Sequence, residues 1–150
     1  MKNSGVTDRF DLNRFMDAQE GVYDRALSEL KIGQKQSHWM WYIFPQIGGL
    51  DRSTTARYYA IKSEDEARAY SNHPLLGPRL LECTKTVLDI EGRSASAIFG
   101  FPDDLKLQSS MTLFAFVSAP NSMFALVLYT FFNGNKDDKT LQVLETMRQG

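Results

Sequence analysis

Apolar residues recur at helical spacing through almost the whole chain, and no window alternates apolar and polar residues in the manner of a strand. This predicts an all-α fold with little or no sheet. Breakers divide the pattern. Leu12, Phe15 and Met16 open a first helix behind Asp11, read as its N-cap, and Tyr23, Ala26, Leu27 and Leu30 continue the stripe to a stop at Gly33. Gly21 is placed to kink or divide that stretch. Ser37 is expected to cap a short aromatic helix, HWMWYIF, which Pro45 must end. Ser53 is expected to cap a helix carrying Arg57 and Tyr58. Ser63 with Glu66 forms a capping box. His73-Pro74 breaks the chain before the amphipathic stretch Leu75 to Leu88. Residues 92–101 read as a linker with one turn of helix. Pro102 opens a helix reaching about Ser118. Met123 to Phe132 is apolar enough to be the central helix, and a last helix starts at Asp137 or Asp138. The expectation is a compact bundle of about seven or eight helices crossing orthogonally. It forms a single domain over residues 8–150, with residues 1–7 a flexible N-terminus.

The chain has 150 residues, 43% hydrophobic, enough for one domain with a real core. Its 17 basic and 18 acidic residues balance, which argues against a protein that coats nucleic acid or an acidic membrane. The longest apolar runs fall well short of the roughly 20 residues that span a bilayer. The N-terminus, MKNSGVTDRF, has no apolar signal region, and the lone Cys83 has no partner for a disulfide. A cytoplasmic location is the expectation.

No phosphate loop, GxGxxG, HExxH or CxxC occurs, and the two histidines, His38 and His73, lack carboxylates at ligand spacing. Neither a metal nor a cofactor is expected. Cys83 lies on an apolar stripe and reads as an inert core thiol. His73 reads as a capping or loop residue.

Two segments carry candidate chemistry. The first, QSHWMWYIFPQ, sets two tryptophans, a tyrosine and a phenylalanine within six residues, with Ser37, His38 and Gln46 beside them and Arg52 and Arg57 following. Aromatic planes with a guanidinium and an amide suit a nucleotide or sugar-phosphate pocket. The second, DDLKLQSSMT, aligns Asp103, Lys106 and Ser110 with the apolar Phe114 and Val117, so polar groups point inward near a helix N-terminus.

The strings SHWMWYIFPQ, TARYYAI, ARAYSNHPLLGPRLLECT, IFG and PDDLKLQSSMTLFAF resemble domain-of-unknown-function family 1810, a bacterial and fungal group, over about Phe10 to Leu144. The resemblance implies an all-helical single domain and no particular activity. Members are often labelled calpastatin, a name that belongs to long disordered inhibitor chains. The stretch RAYSNHPLLGPRLLECTKTVLDIEGRSASAIFG is similar in layout to the NADAR family of helical N-glycosidases, which act on ADP-ribose-type and riboflavin-precursor substrates. In that likeness Ser37 stands where the family has a carboxylate, Phe99 stands where it has a tryptophan, and its glycine- and asparagine-rich stretch is not reproduced.

Three functions follow as expectations. The first is a pocket for a small anionic metabolite, a nucleotide or sugar phosphate. In it Arg57 and Lys106 hold the anion, Trp41 and Tyr58 stack, Gln46, Ser109 and Ser110 orient, and His38 is the available general base. The second is a protein-interaction module using exposed Trp39, Trp41 and Arg57. The third is a divergent NADAR-like N-glycosidase with Asp103 or Asp104 as its carboxylate.

Overall fold

The computed structural model describes residues 8–150, so the expectation for residues 1–7 lies outside the described residues. Ten helices form among the described residues: α1 (Asn13–Gln19), α2 (Tyr23–Ile32), α3 (Met40–Ile43), α4 (Thr54–Tyr59), α5 (Glu64–Asn72), α6 (Leu76–Leu88), α7 (Ala95–Phe99), α8 (Asp103–Phe116), α9 (Met123–Phe132) and α10 (Asp138–Gln149). The fold is all-α. The count exceeds seven or eight because Gly21, at φ 75°, divides the first stretch, and the 92–101 connection holds a helix of its own. The one β-bridge among the described residues pairs Ile47 with Ile61 in parallel. It holds the Gln46–Gly48 segment against the end of α4.

Short polar caps account for many of the boundaries. Ser53, Ser63, Ser94, Ser122 and Asp137 each accept the backbone N–H three residues on. Gly33 and Asn133 end α2 and α9 in the left-handed conformation. Two expected caps fail for a shared reason, capture by another carboxylate. Asp8, not Asp11, receives the N–H groups of Leu12 and Asn13 at 2.7 and 3.0 Å. Ser37 does not cap the aromatic helix either. Its N–H and hydroxyl donate to Glu29, as do Gln36 N–H and the Trp39 indole. The chain wraps this carboxylate until Trp39, so only Met40–Ile43 is helical.

The central helix is α8, which packs against α5, α7, α9 and α10. The expected centre, α9, instead leaves Leu126 and Tyr129 exposed on its outer face. Trp39, Tyr70, Phe15, Phe44 and Phe114 are the largest fully buried side chains, and they belong to one continuous core. Helices α5 and α6 meet so closely that a Cβ on Gly77 would lie 2.3 Å from the Ser71 carbonyl oxygen. Cys83, on α6, is fully buried, and burial pushes its thiol up to about 12. His73 Nδ1 accepts from Leu75 and Leu76 N–H and so closes the start of α6.

Candidate functional site

The first turn of α8 meets the aromatic segment. Lys106 sets its ammonium 5.3 Å from the centre of the Trp41 ring, within cation–π range. Asp103, one turn earlier, is held by Lys35 at 2.8 Å and stands 3.7 Å from Lys106. Lys35 in turn lies 5.0 Å from the Trp39 ring. The two segments singled out from sequence therefore meet in space.

Trp41 lines a niche with about 20 Å³ of free space, walled by Gln46, Gly48, Gly49, Tyr59 and Ala60. That is room for about one water-sized group. The niche shares Gln46, Leu50 and Asp51 with a larger cleft of about 570 Å³, which also has Lys106, Ser109, Lys136, Asp137 and Lys139 in its walls. The indole Nε1 of Trp41 is buried and has no hydrogen-bond partner among the described residues; nor has Ser110 Oγ. Ser110 is four residues past Lys106 on α8, on the same face and one turn deeper.

Of the predicted site residues, Trp41, Gln46, Lys106 and Ser109 come together at this cleft, and Ser110 lies in the core behind Lys106. Ser109 is already engaged: its hydroxyl is 3.0 Å from Asp137 and 3.2 Å from the Leu105 carbonyl. Arg57 and Tyr58 do not join them. They line a separate groove with Arg9, Arg14 and Lys62, and the two clefts share no wall residue. The reason is Arg14, whose Nε donates to the Tyr58 carbonyl at 2.8 Å and ties α4 to α1. His38 lines neither cleft and is exposed. Its neighbour Trp39 is drawn inward by the 2.9 Å bond from its indole to Glu29, and this turns His38 out. Trp39 is thereby fully buried and presents nothing to a partner protein. Asp103 is neutralised by its two lysines, and Asp104 sits 2.9 Å from the Leu105 N–H.

Sequence reasoning missed Lys136, Lys139 and Asp51 in the cleft wall, because charged residues in polar connections have no periodicity to betray them. It also missed Glu29 and Arg14 as buried hubs. A signal existed, since Glu29 stands between Leu27 and Leu30 and Arg14 between Leu12 and Phe15, each set in an apolar stripe.

The fold defines a small, all-helical protein, and no helix among the described residues is long and apolar enough to cross a membrane. The chain belongs to the family described as protein of unknown function (DUF1810), whose model matches residues 9–144. It is similar to the conserved hypothetical protein Rv1873 from Mycobacterium tuberculosis, known from a crystal structure at 1.38 Å. The two share 50% identity over 92% of this chain and 99% of that one, with a TM-score of 0.90. No curated protein matches the chain.

Proposed function

We propose that residues 8–150 act as one cytoplasmic domain whose Trp41–Lys106 cleft binds a small anionic metabolite of the sugar-phosphate or nucleotide class, with no part for nucleic acid. The observation that carries this reading is the buried, unpartnered indole N–H of Trp41 beside a niche for one small group. An indole N–H only donates. Leaving it unpaired costs about 1–3 kcal/mol, which a ligand oxygen in the niche would recover.

The wider cleft has the size and chemistry for the rest of such a molecule. Its walls carry three ammonium groups, Lys106, Lys136 and Lys139, and three carboxylates, Asp51, Asp137 and Asp138. The ammonium groups suit a phosphate, and the free carboxylate oxygens suit sugar hydroxyls, so a phosphosugar fits better than a bare anion. Gln46, whose side chain makes no hydrogen bond among the described residues, faces both compartments. Binding is the whole of the claim. His38, the one side chain read as a general base, lies outside the cleft.

The test is a thermal-shift screen with sugar phosphates, nucleotides, ADP-ribose and flavin precursors. A ligand at about 100 times its Kd should add about 2.7 kcal/mol of stability. In a chain of this length that raises Tm by roughly 5–10 °C. Lys106→Met is expected to keep the unliganded Tm within a few degrees and to lose most of the shift given by sugar phosphates. No response across the panel, or an equal response of Lys106→Met to the sugar phosphates, would contradict the reading.

A further inference from the structure

The groove at the join of α1, α4 and α5 has no role in the Trp41–Lys106 cleft. It has about 590 Å³ of free space, within the usual range of roughly 300–1,000 Å³ for small-ligand sites. Four cations line it, Arg9, Arg14, Arg57 and Lys62, against two acids, Asp11 and Glu66. One acid is already spent, because Glu66 is paired with Arg14 at 2.6 Å and buried. The Arg14 guanidinium is likewise committed, to that carboxylate and to four carbonyls.

Among the described residues, the remaining cations keep donors open. Arg57 is exposed and its guanidinium has no hydrogen-bond or ion-pair partner among the described residues. Among the described residues, Arg9 stacks over Phe10, at 4.9 Å from the ring centre. Lys62 donates to the carbonyls of Arg57 and Ala60 at 3.1 and 2.8 Å, which leaves one of its three N–H bonds free. Burial, followed by the nearby Arg14 charge, lowers the pKa of Lys62. The groove therefore holds more positive charge than it neutralises, and a bound anion relieves that excess. Beside these cations stands Tyr58, 55% exposed and meeting Tyr59 at 85°. An exposed aromatic ring among guanidinium groups is what a heterocyclic base stacks on.

We infer that this groove is a second anion site, distinct from the Trp41–Lys106 cleft, which takes a nucleoside monophosphate: its phosphate is held by Arg9, Arg57 and Lys62, and its base lies on Tyr58. The bounded groove and the chain's overall charge of −1 favour a mononucleotide over a polymer.

Calorimetric titration of the Lys106→Met protein isolates the groove from the cleft. Adenosine monophosphate, ribose 5-phosphate and inorganic phosphate serve as probes. The expected order places the nucleotide tightest, with the two base-free probes weaker by about tenfold or more. Tyr58→Ala should abolish the advantage of the nucleotide while leaving phosphate binding unchanged. Arg57→Ala should weaken all three probes by about tenfold. Both side chains project outward, so neither change threatens the fold. Equal affinity for all three probes, or retention of nucleotide binding in Arg57→Ala, overturns the proposal. So does a single-stranded oligonucleotide that binds far more tightly than the mononucleotide. Because the cleft is disabled throughout, these outcomes do not depend on what the cleft binds.

Discussion

Replacing Arg14 with methionine is expected to destabilise the protein by about 4 kcal/mol, the largest loss for any single substitution considered. Arg14 is only 6% exposed. Its Nε donates to the Tyr58 carbonyl, Nη1 to those of Phe10 and Asp11, and Nη2 to Ala60 and to Glu66. Methionine keeps the apolar stem and removes every donor. Four carbonyls lose this donor, of which Ala60 keeps Lys62 Nζ and Asp11 keeps the backbone N–H of residue 14, and among the described residues the carboxylate of Glu66, 1% exposed, is left with the Lys62 N–H alone. Removing one member of a buried pair typically costs about 3–5 kcal/mol, because the other charge stays behind. Lysine should not rescue the loss, since its point charge cannot serve a planar set of acceptors. Glu66→Gln should cost less, about 1–2 kcal/mol, because Arg14 keeps its four carbonyls and the amide oxygen can still accept. Urea midpoints measure all three. A loss below about 1 kcal/mol for Arg14→Met would show that the hub does not hold α1 to α4.

The Glu29→Gln protein is expected to be weaker by about 3 kcal/mol at neutral pH and to lose that deficit in acid. Burial alone would raise the Glu29 carboxyl. The Ser37 hydroxyl, the N–H groups of Gln36 and Ser37 and the Trp39 indole together outweigh it and hold the group at about 2, against an ordinary 4.5. A lowered pKa means that the folded state favours the ionised form. The stabilisation is therefore complete above about pH 4.5 and is lost as the pH falls toward about 2. A shift of this size, at about 1.36 kcal/mol per pH unit, is worth about 3 kcal/mol. The two proteins should converge in stability across that acid window. A gap that stays constant with pH would mean that the contribution of Glu29 is packing and not charge.

These hubs also mark where sequence reading ends. Local chemistry was legible: Ser53, Ser63 and Asp137 cap their helices, Gly33 stops α2, and Pro45 follows α3, each by interactions within a few residues. What failed was decided by partners far along the chain or by a stronger local competitor. Ser37 looks like a cap until Glu29, eight residues earlier, takes its hydrogen bonds. Arg57 looks like a companion of Trp41 until Arg14, 44 residues before Tyr58, fixes the end of α4 toward α1. At the candidate site, the inward polarity of the first turns of α8 said only that its polar groups had to find partners, and the fold supplies Trp41 as the neighbour of Lys106. The lysines at 136 and 139 followed from nothing in the pattern.

The central claim, that the Trp41 niche receives an oxygen from a sugar-phosphate or nucleotide ligand, is tested most directly by the two indole N–H resonances in a ¹⁵N-edited NMR titration. The chain has two tryptophans, and they make an internal control. Trp39 already donates to Glu29, whereas the Trp41 indole has no acceptor among the described residues. On saturation of the Arg57→Ala protein, in which the separate α1–α4 groove is weakened, with ribose 5-phosphate or a nucleotide, the Trp41 indole proton should move downfield as it gains an acceptor, and the Trp39 proton should stay in place. A ligand that binds tightly and leaves the Trp41 indole unmoved would contradict the account.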